Sequence, residues 1–258
     1  MVNVYIVKWG QRIGDTYTHG SKINFHESSV SFSNPEQSPG ESIHTWYSLA
    51  EFRKFRYTPA LPILTPGHQY HFRVDLTQEP ADSLNLAITY FDDDDEQIRQ
   101  DFFTELNDSF AYPENGHHYQ MDLINLNNQQ LEFTSLWLAD EELLQTWEIE
   151  RQKLASGTQF VTATQPGFSQ WSVTLAAEEI DTTIFPFYPG ENNVVLAVPT
   201  VGLSDKDLIE LLNVMYQHGL QRDAPLIVRV FGSDKILFET QKVFATLPVE
   251  IENNDKGI

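Results

Sequence analysis

The sequence predicts a mainly β protein, an antiparallel β-sandwich followed by a small C-terminal βαββ unit, and three observations carry that prediction. Apolar and polar residues alternate with a period of two through the first half, the pattern of half-buried strands. Turn-forming stretches separate the runs: Asn34-Pro35, Ser38-Pro39-Gly40, Thr65-Pro66-Gly67, Pro113-Glu114-Asn115-Gly116 and Asn127-Asn128. Such residues supply the fixed or positive φ angles that reverse a chain. From Val194 the pattern changes to one continuous apolar run, a helical repeat and two more strand-like runs.

In chain order, YHFRVDLT sets Tyr70, Phe72, Val74 and Leu76 on one side and His71, Arg73, Asp75 and Thr77 on the other. LNLAITYF sets Leu84, Leu86, Ile88 and Tyr90 against Asn85, Ala87 and Thr89, and it stops at the acidic run Asp92 to Asp95 and Glu96. YQMDLINL, from Tyr119, and LEFTSLWL, from Leu131, repeat the alternation less cleanly. Residues 139–157 begin with acids and end with Arg151, Lys153 and Gly157. That polarity suits a helix dipole and a glycine C-cap, so a helix is expected near 140–156. QWSVTLA, from Gln170, reads as another strand, and FPFYPGENN, from Phe185, as a linker. In the tail, Ser204 and Asp207 resemble a capping box with Asp in place of Glu or Gln. Leu208, Leu211, Leu212 and Met215 recur at helical spacing, and Gly219 is placed to close the helix. LIVRVF and KILFET then predict two strands around Gly232-Ser233-Asp234. The expected organisation is a sandwich over 1–180, a linker over 181–193 and a small α/β extension over 194–258.

The chain has 258 residues, with 16 Lys and Arg against 37 Asp and Glu and a formal net charge of -21. Such a field repels phosphate backbones and anionic lipid, so nucleic acid and membrane surfaces are poor partners and a basic protein surface is a better one. There is no cysteine, which removes disulfides, thiolate nucleophiles and thiolate metal sites. The opening MVNVYIVKWGQR has only a brief apolar run broken by Lys8, so no secretory signal is expected. No segment approaches the roughly 18 apolar residues of a membrane-spanning helix. A soluble cytoplasmic protein is the expectation.

Searches for chemistry end in structural readings. An EF-type calcium loop starting at Asp92 needs glycine at position 97 and glutamate at 103, where the chain has Gln97 and Phe103. A hairpin turn fits that run better, with Asp92 as its structural residue. His68 and His71, three apart on a strand, point to opposite faces, as do the neighbours His117 and His118, so no metal is assigned. Gly40-Glu41-Ser42-Ile43-His44 lacks the second glycine of a nucleophile elbow, and the chain has no Walker loop or GxGxxG. No catalytic residue and no cofactor is assigned. EFRKFRY interleaves Arg53, Lys54 and Arg56 with aromatic residues; in so acidic a chain it reads as an ion-pairing loop or protein contact rather than a nucleic-acid stripe. Tryptophans such as Trp46 and Trp137 default to core packing and would stack on sugars only if exposed. Trp46, Tyr47, Arg53, Arg56 and Trp137 are therefore the candidate contacts for a partner or glycan.

The order of short motifs adds a family resemblance. Trp9, Tyr17, Gly20-Ser21, Ile23, Phe25, Pro39-Gly40, Ile43, Trp46, Leu61-Pro62-Ile63-Leu64, Gly67 and Tyr70 resemble the third accessory Sec protein of Gram-positive bacteria. ITYFD, FAYP, Tyr119, LINL and LEF continue the match over roughly the first 140 residues. The resemblance implies a jelly-roll-like sandwich similar to carbohydrate-binding modules. It also implies a non-catalytic adaptor that works in the cytoplasm with two other accessory Sec proteins and a SecA-type motor ATPase, and meets the membrane through a dedicated translocon. The implied cargo is serine-rich repeat glycoprotein adhesins. A free-standing carbohydrate-binding module is the alternative.

Overall fold

The computed structural model describes residues 2–11, 13–26, 28–49, 59–177, 181–198, 203–218, 220, 226–231, 244 and 249–252. The chain divides into two compact units, one of Tyr5–Glu141 with residues 180–182, the other of Met1–Val4, Glu142–Glu179 and Thr183–Ile258.

The first unit is the expected sandwich. Its strands are the second half of β1 (Val2–Val7), β2 (Lys22–Phe25), β3 (Val30–Ser33), β4 (Ser42–Tyr47), β5 (Gln69–Glu79), β6 (Leu84–Phe91), β7 (Gln97–Phe103), β8 (Asn107–Ala111), β9 (His118–Asn125) and β10 (Gln130–Asp140). One sheet runs β1-β10-β3-β2, with β5 on the other edge of β10 and β8 beyond β5. The other runs β4-β9-β6-β7 and is antiparallel throughout. Phe32, Phe72, Val74 and Phe133 from the first sheet and Trp46, Leu86, Ile88 and Met121 from the second are buried in one core. The alternation in the sequence thus sorts inward from outward residues, as a sheet with one wet face requires.

The less regular alternation in β10 has a local cause. Its register with β5 shifts between Phe133 and Ser135, and such a bulge exchanges the inward and outward parities. Leu131 and Phe133 before it and Leu136 and Leu138 after it all enter the core, while Trp137 pairs with the outward Arg73.

The acidic run is the hairpin between β6 and β7. The Asp92 carboxylate accepts the amides of Asp94 at 3.0 Å and Glu96 at 2.9 Å, and Asp95 takes a left-handed φ of 63°. Asp tolerates this geometry because its short side chain bonds its own backbone.

The second unit departs from expectation in three places. The helix expected over 140–156 is only α1 (Glu141–Thr146), followed by β11 (Glu148–Lys153) and β12 (Gln159–Thr164). Six residue pairs join β11 to β12, so tertiary pairing overrides the helix propensity of this stretch. Gly157, with φ 92°, sits in their hairpin turn rather than at a helix end. The strand at 171–177, β13 (Trp171–Ala177), belongs to this unit's sheet and not to the sandwich. The expected linker contains a strand, β14 (Thr182–Phe187); a tight turn with Gly190 at φ 89° then leads into β15 (Asn192–Val198).

After β15 come α2 (Asp205–Gln217), β16 (Leu226–Phe231) and β17 (Val249–Glu252). The sheet order is β11-β12-β15-β13-β16-β17. β13 is parallel to both β15 and β16, and β17 is parallel to β16. Parallel strands cannot be joined by a tight hairpin, and α2 lies in the connection from β15 to β16, the two strands that flank β13. Its N-terminus carries the expected capping box: the Ser204 hydroxyl accepts the Asp207 amide, and the Asp207 carboxylate accepts the Ser204 amide. Leu208, Leu211 and Met215 pack on Trp171, Val173, Leu196 and Val228. The strand expected at 235–240 and the glycine at 219 lie outside the described residues.

A buried ion pair fastens the turn before β15. The Arg229 guanidinium donates to both Glu191 carboxylate oxygens at 2.7 and 2.9 Å and lies 4.1 Å over the Tyr188 ring. Its side chain is 6% exposed, that of Glu191 16%. Arg229→Met would strand the carboxylate and should lower unfolding stability by about 3–5 kcal/mol, read from the denaturant midpoint, and adding Glu191→Gln should recover most of it. Asp92→Ala should cost about 1 kcal/mol and Asp93→Ala less than about 0.5 in the same assay.

Candidate functional site

The four-stranded sheet carries two rows of side chains on the side away from the core, several of them buried. Register fixes the rows: Tyr47 lies beside Gln120, Gln120 beside Thr89 and Thr89 beside Gln100. The next row reads Thr45, Asp122, Ala87 and Phe102. Asp122 is buried, and its carboxylate accepts from the Thr45 hydroxyl at 2.5 Å, the Ser42 hydroxyl at 3.3 Å and the Gln120 amide at 2.9 Å. Gln100 donates to the Thr89 hydroxyl at 2.9 Å. Phe102 is 63% exposed.

Behind this face, β4 sends His44 and Trp46 into the core. Trp9 stacks on His44 with ring centroids 4.4 Å apart. The Trp9 indole donates to the Thr16 hydroxyl at 3.0 Å, and that hydroxyl lies 2.7 Å from His44 Nδ1. His44 also bonds the Asp15 backbone carbonyl. Every donor is satisfied when His44 is neutral, donating to that carbonyl and accepting from Thr16. Burial lowers its pKa to about 3, and the carbonyl bond only partly offsets this. Beside it is a cavity of about 10 Å³ lined by Gly10, Asp15, Tyr47, Ala60 and Asp181 among others, the size of one water molecule.

Of the five candidates named from sequence, the three that are described stand in different surroundings. Trp46 is 1% exposed and donates its indole N–H to the Lys8 carbonyl at 3.1 Å, which makes it core. Trp137 is 7% exposed beneath the Arg73 guanidinium, 4.4 Å from its ring, and donates to Asp75 at 2.7 Å. Tyr47 is half-buried on the outer face just described. Arg53 and Arg56, with the rest of EFRKFRY, lie outside the described residues. Asp122, Gln120, Thr89, Gln100 and Phe102 were not singled out from sequence. Their outward parity is readable within each strand, but which strands lie side by side is a long-range fact.

His68 and His71 find different partners, whereas the rings of His117 and His118 meet edge to face. His118 stacks on Phe91 at 4.7 Å and stands 3.6 Å from Asp95, while His117 makes an edge contact with it at 90°. His71 contacts Ser109 and Asn107, whereas His68 lies 3.5 Å from Asp140.

With the sandwich in view, the comparisons with known proteins can be placed on it. The family described as Accessory Sec secretory system ASP3 matches residues 16–140, which fall within the sandwich unit. An accessory Sec system protein of this name from Streptococcus gordonii is 31% identical over 131 residues, covering 50% of this chain and 81% of that protein. The chain belongs to the accessory Sec system ASP3 family. A Staphylococcus aureus member is 26% identical over 148 residues, 57% of this chain, and the match spans only 46% of that relative's length. A crystal structure of accessory secretory protein 1, 2 and 3 from Streptococcus pneumoniae shares the fold, with a TM-score of 0.51 at 24% identity, over 52% of this chain and 94% of the matched one.

The His44 site predicts a pH dependence. The unfolded ring protonates near 6.5 and the folded ring near 3, so between those values the unfolded state binds more protons and stability falls as pH falls. Above 6.5 the contribution vanishes. From pH 7.5 to 5.5 the loss should be on the order of 1.4 kcal/mol, and His44→Asn should flatten that segment of a melting-temperature profile.

Proposed function

We propose that this chain is a non-catalytic adaptor subunit of an accessory Sec export complex, helping to deliver serine-rich glycosylated adhesins to a dedicated translocon. The observation that carries this reading is the family match, whose residues 16–140 coincide with most of the sandwich unit. The pneumococcal likeness supports it, because that structure is named for accessory secretory proteins 1, 2 and 3 together. On this reading the partners are the other accessory Sec proteins, a SecA-type motor ATPase and the adhesin substrate.

The physical character of the chain agrees with a docking role. A net charge of -21 favours encounter with a basic protein surface and disfavours anionic lipid. No helix among the described residues is long and apolar enough to cross a membrane. A cytoplasmic adaptor of this kind would reach the membrane through its partners. The alternative, a free-standing carbohydrate-binding module, keeps the sandwich but needs no other protein.

Co-expression of the tagged full chain with the other accessory Sec proteins, followed by size-exclusion chromatography, separates the two. Co-elution in a stable complex is the expected result. A chain that elutes alone while the other proteins associate with each other would overturn the adaptor reading.

A further inference from the structure

We propose that Arg73 and Asn107, neighbours on the outer face of β5 and β8, form a docking point for an isolated carboxylate carried by another polypeptide. The proposal names a contact chemistry and does not depend on the adaptor reading.

Arg73 is oriented before any ligand arrives. Its guanidinium lies 4.4 Å over the ring of Trp137, the residue opposite it on β10. Asp75 takes one edge of the fork, with Nε 3.0 Å from Oδ1 and Nη2 donating to Oδ2 at 3.3 Å. The Trp137 indole and the Ser135 hydroxyl donate to Asp75 in turn, at 2.7 and 3.2 Å. The other edge, Nη1 with the second Nη2 hydrogen, has no partner among the described residues, and the side chain is 43% exposed. An open arginine edge takes a carboxylate through two parallel bonds.

Asn107 adds a third donor. It is exposed and stands directly opposite Arg73, with Cβ atoms about 5 Å apart. With Nε2 protonated, His71 donates to Asn107 Oδ1 at 2.7 Å and accepts the Ser109 hydroxyl at Nδ1, 3.0 Å away. That bond fixes the carboxamide and leaves its NH2 group without a partner among the described residues. Fork and amide offer only donors, and a carboxylate only accepts. Phosphate would bring a second negative charge close to Asp75, on a chain whose net charge is already -21, and a run of acids is disfavoured for the same reason. One carboxylate contact is too small to hold a free acid tightly, so the occupant is a polypeptide that gains further contacts beside it.

The test uses the full chain, labelled for NMR of backbone and side-chain N–H groups. The probes, at matched ionic strength, are acetyl-Gly-Glu-Gly-amide, acetyl-Gly-Ser-Gly with a free C-terminus, acetyl-Gly-Gln-Gly-amide and inorganic phosphate. At least one carboxylate peptide should saturably shift the Arg73 Nε–H, the Asn107 NH2 and the Trp137 indole N–H, and the one that does identifies a side-chain or a terminal carboxylate. Arg73→Lys keeps the charge but loses the fork and should weaken binding at least about tenfold. Asn107→Ala should weaken it roughly fivefold, and it serves alone if the lysine variant does not fold. The proposal is overturned if neither carboxylate peptide shifts these groups, if the glutamine peptide or phosphate shifts them as strongly, or if binding survives the substitutions. None of these outcomes alters the co-elution test, so the two readings fail separately.

Discussion

The first sheet depends on one strand that pairs on both edges. β10 pairs with β5 along nearly its whole length on one edge and with β3 and β1 on the other. To serve two neighbours on one side it must be long, and it runs for 11 residues. A strand that long accumulates twist, and the bulge after Phe133 keeps its apolar residues facing inward along its length. Without that shift, Leu136 and Leu138 would turn outward and Trp137 would turn into the core. The inward row that β10 contributes to the core depends on this one adjustment.

Three buried polar groups, two in the sandwich and one in the second unit, are each held by specific partners. His44 is held neutral between Thr16 and a backbone carbonyl, Asp122 is surrounded by neutral donors, and Arg229 is matched to Glu191. An unpaired polar group at any of these positions would cost its full desolvation. The groups differ in what their pairing leaves over. His44 and Arg229 have their bonding satisfied, whereas Asp122 retains accepting capacity on a face that carries an exposed aromatic ring.

Much of the sandwich was legible because a period of two survives in a single strand. Tyr70, Phe72, Val74, Leu84, Leu86 and Ile88 read inward from sequence and are inward in the structure. The capping box at Ser204 was legible for the same reason, as both of its bonds are local. What failed was non-local. Residues 148–153 carry good helix formers, and only the partner strand at 159–164 makes them extended. Pro186 and Pro189 suggested a linker, yet 182–187 form a strand. The candidate site was hidden more deeply, because Thr45, Asp122, Ala87 and Phe102 become neighbours only through the strand order β4-β9-β6-β7.

The sandwich unit also reaches far along the chain for its last pieces. The Asp181 carbonyl accepts the Lys8 amide at 2.8 Å, and the Thr182 hydroxyl donates to the Ala60 carbonyl. A polypeptide leaves the ribosome from its N-terminus, and domains ordinarily fold as they emerge. Here the Lys8 amide and the Ala60 carbonyl must wait for residues 181 and 182, so the sandwich is completed only after the strands β11 to β13 have been made. The order of synthesis and the order of assembly therefore differ, and a nascent chain stopped at residue 140 would hold an incomplete first domain.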